Sequence, residues 1–90
     1  MNQEQFKQRA IELEAAAEEL AKDAFLKERS GYRFNKGEAS LKPTYEQGTP
    51  IDYIEAEAKK TYSSYEGSYV FKKAVEAYLR ISKEGGDGTD

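Results

Sequence analysis

The stretch KKTYSSYEGSYVFKK, residues 59 to 73, sets four aromatic rings and one glycine between two pairs of lysines. It decides the fold, because the apolar positions before and after it point in different directions. Upstream, Ile51, Ile54, Ala58, Tyr62, Tyr65 and Tyr69 advance by three, four, four, three and four, which keeps them on one helical stripe. Downstream, Val70, Phe71, Ala74, Val75, Tyr78 and Ile81 centre roughly 160° away from that stripe at about 100° per residue. One straight helix would need partners on opposite sides, and a break removes that need. Glycine inside a helix costs about 1 kcal/mol against alanine. The break is therefore expected at Glu66-Gly67-Ser68, with Gly67 ending one helix and Ser68 capping the next.

The helix upstream of this stretch has a clear start. Thr49 can cap it, Pro50 suits its first position, and Asp52 favours the positive end of the helix dipole. Downstream, a third helix is expected over about residues 69 to 83. It sets Lys72, Lys73, Glu76, Arg80 and Lys83 opposite its apolar face, and GGDGTD, residues 85 to 90, follows as a flexible tail.

The N-terminal third predicts one long helix over about residues 3 to 29. Asn2 and Gln5 have capping-box spacing, and Phe6, Ala10, Leu13, Ala17, Leu20 and Ala24 form a seam at alternating steps of four and three. A second line through Ile11, Ala21 and Phe25 widens the apolar face, which calls for more than one neighbour. Ser30-Gly31 ends the helix as a glycine cap does. Residues 31 to 48 form a connector with three of the seven glycines and one of the two prolines. Tyr32 and Phe34 alternate with polar residues before Asn35-Lys36-Gly37, and Ala39 and Leu41 alternate after it. That pattern is compatible with a short β-hairpin or with an irregular loop pinned by its rings; Pro43 would confine the return strand to an edge. The fold class is mainly α: a small bundle of one long helix and two shorter ones laid in succession along it, forming a single domain over residues 1 to 84.

The 14 bases and 17 acids give a net charge of only -3, but their distribution alternates. Residues 1 to 24 carry six acids and three bases, residues 46 to 58 four acids and no base, and residues 59 to 83 six bases and two acids. Acidic and basic segments of this kind commonly face each other across a bundle. The chain has no cysteine and no histidine, which removes disulfides, thiolate metal sites and the commonest general base. Ser63, Ser64 and Ser68 have no evident activating base, and no Gly-rich phosphate loop is present. Catalytic residues, metal and cofactors are accordingly not expected. With no long apolar run or secretory leader, a cytoplasmic protein without a membrane partner is expected.

When chemistry is missing, binding is the default expectation. The favoured reading is a protein-interaction or inhibitor module, in the style of the small accessory proteins that phages and mobile elements turn on host machinery, though no motif carries that analogy. Its contact residues would be Tyr69, Lys72, Lys73 and Arg80, with Tyr69 the freest ring, and the acids Glu12, Glu18, Glu19, Asp52 and Glu55. The alternative is nucleic-acid binding through Arg29, Tyr32, Arg33, Phe34, Lys36, Lys59 and Lys60, a set of cations interleaved with rings. A third reading is self-association, a homodimer through the alanine-rich seam of the first helix.

Overall fold

The computed structural model describes residues 3 to 36 and 47 to 88, with the side chains of 85 to 88 outside the description. Its helices are α1 (Gln3–Arg29), α2 (Pro50–Thr61) and α3 (Ser64–Gly88). The mainly α bundle expected from the sequence is what forms, although α3, at 25 residues, nearly equals α1 at 27.

Each helix end has a local cause. α1 stops at Gly31, whose φ of 85° lies in the left-handed region. The Gly31 N–H donates to the Glu28 carbonyl at 3.2 Å and the Tyr32 N–H to that of Lys27 at 2.9 Å, which is the Schellman pattern. α2 opens with a reciprocal capping box: the Asp52 N–H donates to Thr49 Oγ1 at 3.4 Å, and the Thr49 N–H donates to Asp52 Oδ2 at 2.8 Å. It closes at Tyr62, which turns extended, with φ -124° and ψ 160°.

The break between the later helices therefore exists, but at Tyr62-Ser63 and not at residues 66 to 68. Ser63 begins α3: the Glu66 N–H donates to its Oγ at 3.4 Å and the Gly67 N–H to its carbonyl at 2.6 Å. Ser68 is no cap; its hydroxyl donates back to the Ser64 carbonyl at 2.9 Å. Gly67 stands inside the first turns of α3 because a Cβ there would lie 3.1 Å from the Ala58 carbonyl oxygen. The glycine serves the close crossing of two helices, and it does not end one.

The chain runs up, down and up again. Arg9 meets Glu66, Glu14 meets Tyr69 and Lys73, and Glu28 meets Tyr78, so α3 runs parallel to α1. α2 starts beside the far end of α1, where the Tyr53 hydroxyl donates to Asp23, and descends against both α1 and α3. The two later helices thus fold back on each other as a hairpin, where succession along the first helix was expected. α3 continues to Gly88, beyond the expected end near 83; the loose tail expected at 85 to 90 falls on residues whose side chains, and for 89 and 90 the backbone as well, lie outside the description.

The core is lined by alanine. Leu13, Ala17, Ala21 and Ala24 of α1 meet Ile54 and Ala58 of α2 and Val70, Ala74, Ala77 and Tyr78 of α3. Ile54 and Val70 are the largest side chains wholly removed from solvent. Small side chains let three helices touch mutually, which the half-alanine seam anticipates. Phe6, at the start of that seam, is exposed, because Arg9 already meets the first turn of α3 and the turn of α1 before it runs past the other helices.

At the other end, the connector's ends are tied by an antiparallel bridge between Asn35 and Gln47 and by the Gly48 N–H donating to the Phe34 carbonyl at 2.8 Å. No sheet forms among the described residues. The tight turn expected at 35 to 37, with its return through Ala39, Leu41 and Pro43, extends into residues 37 to 46, outside the description. Tyr32, Phe34 and Tyr53 pack edge to face there, with ring centres 4.9 to 6.1 Å apart.

Tyr78 gives the bundle an alkaline limit. Burial, and then the hydrogen bond its hydroxyl donates to Glu28 at 2.6 Å, push its pKa up to about 12 from 10.0. The folded state binds the phenolic proton more tightly than the unfolded chain, so the stabilisation is complete below pH 10 and is lost as pH rises towards 12. Melting temperature is expected to fall across that window. Tyr78→Phe should recover on the order of 2 kcal/mol of the loss, read as the difference between the two pH profiles.

Candidate interaction surface

The charges picked out in the sequence meet first along the seam between α1 and α3. Arg9 donates twice to Glu66, from Nε and Nη2, each at 2.8 Å. This bidentate contact holds the Glu66 carboxyl below its usual range and the guanidinium above its own. One turn on, Lys73 approaches Glu14 at 3.7 Å, and the Tyr69 hydroxyl donates to the same carboxylate at 3.1 Å. Further up, Arg80 donates to Glu18. Lys73 and Arg80 thus face acids of their own chain across an open polar groove of about 430 Å³ between Glu14, Glu18, Glu76 and Ala77. Exposed pairs of this kind are individually weak, and the row matches the parallel register of α1 and α3.

Tyr69 is not the free ring expected. It is half-buried against the core, with Lys73 Nζ 5.7 Å from its ring centre, and burial followed by the Glu14 hydrogen bond raises its pKa. The remaining acids are dispersed and locally engaged. Glu12 lies 3.4 Å from Arg9 and Glu19 3.9 Å from Lys22, while Asp52 serves the capping box and Glu55 lies 3.2 Å from Lys59. They do not gather into one acidic face.

The alternative nucleic-acid set is divided too. Phe34 is buried, and Tyr32 is edge-on to it with Lys27 Nζ 5.2 Å over its ring. Arg29 stacks over Phe25 at 5.6 Å, and Arg33 and Lys36 are exposed in the first residues of the connector. Lys59 and Lys60 lie in the last turn of α2, about 9 Å along its axis from Tyr53 and the ring cluster.

A different surface emerges on α3. Tyr65 is 81% exposed and Leu79 56%, and both lie on the side of α3 turned away from the core, with Ser68, Lys72, Glu76 and Lys83. Tyr65, Lys72 and Leu79 are seven residues apart, so they recur every two turns, about 10 Å from one to the next. Neither Lys72 nor Lys83 has an ion partner among the described residues. Along one flank runs an open groove of about 300 Å³ between α2 and α3, with Tyr62, Gly67, Ser68 and Phe71 among its walls.

The stripe was hidden because Tyr65 was placed upstream of the break. Ser63-x-x-Glu66 has capping-box spacing, and reading it as the start of α3 would have turned Tyr65 outward.

Among the described residues no three or more acidic side chains gather as a metal ion would require, and no helix is long and apolar enough to cross a membrane. Comparison with protein-family models, with curated proteins and with solved structures finds no match.

Proposed function

We propose that this chain is a non-enzymatic protein-binding module whose docking surface is the outward face of α3. The observation that carries the reading is the exposed line Tyr65, Lys72 and Leu79, an aromatic anchor and an aliphatic one with, between them, a cation that has no ion partner among the described residues. Its chemistry fits an acidic partner surface with two apolar pockets about 20 Å apart. A tyrosine presents a large contact area at the cost of only two side-chain torsions, and Lys72 and Lys83 steer an acidic partner into register. In the inhibitory form of this reading, the partner loses its own activity at one-to-one stoichiometry.

The test is capture from a lysate of the source cells, followed by affinity measurement with the captured protein. Tyr65→Ala is expected to weaken binding by roughly 30-fold, as removal of a central anchor worth about 2 kcal/mol does, and Lys72→Glu to weaken it further as salt is lowered. Lys60→Glu, on α2, serves as the control and should bind as wild type does. A partner retained equally by Tyr65→Ala, Lys72→Glu and Leu79→Asp would remove α3 as the docking face.

A further inference from the structure

Among the described residues, nothing covers the face of α1 opposite the core. Ile11 is 59% exposed and Leu26 64%, and Gln8, Ala15, Glu19, Lys22 and Arg29 are exposed with them. Positions 8, 11, 15, 19, 22 and 26 step by three, four, four, three and four, an average of 3.6, so the stripe keeps one side of a straight helix. The buried stripe of Leu13, Ala17, Ala21 and Ala24 lies on the other side. The alanine seam that would have served a dimer is thus used within the chain, and a second, outward seam is left.

The charges on this outward seam are self-complementary in one sense only. In a parallel pair, each Glu19 would meet the second copy's Glu19, and the lysines at 22 would meet likewise. In an antiparallel pair with its two-fold axis between residues 19 and 22, each Glu19 faces the Lys22 of the other copy. Each Glu12 faces Arg29, and Leu26 of one copy settles between Ile11 and Ala15 of the other. We propose that α1 pairs antiparallel with a second copy of this chain through Ile11, Ala15, Glu19, Lys22 and Leu26.

Within one copy Glu19 and Lys22 are 3.9 Å apart, a loose contact that leaves both heads free to turn to the second copy. The overlap, from about residue 11 to about residue 30, is on the order of 30 Å long. A single helix pair of this length lies at the small end of specific interfaces, which sets a weak, concentration-dependent dimer.

Sedimentation equilibrium of the full chain from about 10 µM to about 1 mM tests it. The apparent mass should rise from 10.2 kDa towards twice that value. Leu26→Glu should raise the dissociation constant at least about tenfold while leaving the helical circular dichroism unchanged, because the residue is 64% exposed and stands outside the core cluster. Lys22→Glu alone and Glu19→Lys alone should each weaken the dimer, since each sets like charges together on both sides of the axis. The double variant should return to within about threefold of wild type, a recovery that loss of folding could not produce. A mass of 10.2 kDa throughout, a dimer indifferent to Lys22→Glu, or a double variant no better than the single ones overturns the proposal. Tyr65→Ala should leave the dimer unaffected, so this proposal and the α3 docking face fail separately.

Discussion

Ile54→Ala is expected to lower the midpoint of thermal unfolding by about 15 to 40 °C. Ile54 is fully buried, at the level where all three helices meet. Truncation removes three carbons, and the cost of such changes runs from about 2 to about 5 kcal/mol according to how far the surroundings collapse. Collapse is limited here. Among the core residues are Ala17, Ala21, Ala24, Ala58 and Ala74, none of which has a side chain long enough to swing into the space. The helices themselves would have to move, and α2 is held at its start by the Thr49 and Asp52 capping box and at its end by the crossing with Gly67. The upper half of the range is therefore expected, and for a chain of this size each kcal/mol moves the midpoint by about 4 to 8 °C. Melting curves followed at 222 nm decide it, with Leu79→Ala, exposed on α3, as the control expected to change little. A shift under about 5 °C would mean that the helices slide together after all.

The elements were legible where local chemistry acts alone. The Gly31 cap of α1 and the Thr49-Pro50-Ile51-Asp52 start of α2 are each specified by side chains touching their own backbone, and both occur where the residues place them. That the apolar face changes sides between the two later helices was legible as well, since periodicity reports which side of a helix is buried. Where it does so was not. Glycine was read through its helix propensity, about 1 kcal/mol, while the close approach of the Ala58 carbonyl depends on how α2 and α3 cross, which is a tertiary fact. Ser63 held the local answer, and the competing signal of Gly67 obscured it.

The surface was less legible for a related reason. Lys73 and Arg80 look available in the sequence, and so do Glu14 and Glu18, because nothing local brings residues more than fifty positions apart together. Parallel packing of α1 on α3 pairs them. The same displacement of the break reassigned the rings: once α3 begins at Ser64, Tyr69 turns towards α1 and Tyr65 turns out. A four-residue shift in a boundary thus exchanged the buried and the exposed tyrosine.

Gly67 itself offers the sharpest reading of that corner, through two substitutions with different expected sizes. Its φ is not in the left-handed region, so any residue can adopt its backbone conformation. Gly67→Ala gains about 1 kcal/mol of helix propensity but puts a Cβ 3.1 Å from the Ala58 oxygen, a few tenths of an ångström too close. The two effects are of similar size and opposite sign, and the net change is expected to stay within about 1 kcal/mol. Gly67→Val adds two further carbons on a side chain with one preferred helical rotamer, and its Cβ faces the same carbonyl with the Tyr62 oxygen 3.7 Å away. The last turn of α2 must then move off α3, at a cost of about 2 to 3 kcal/mol. Denaturant titration of the three chains measures both values. If Gly67 ended a helix, alanine and valine would be harmful to a similar degree; in a packing role, alanine is tolerated and valine is not. Equal losses for the two variants would return the break to residues 66 to 68, and with it Tyr65 to the buried side.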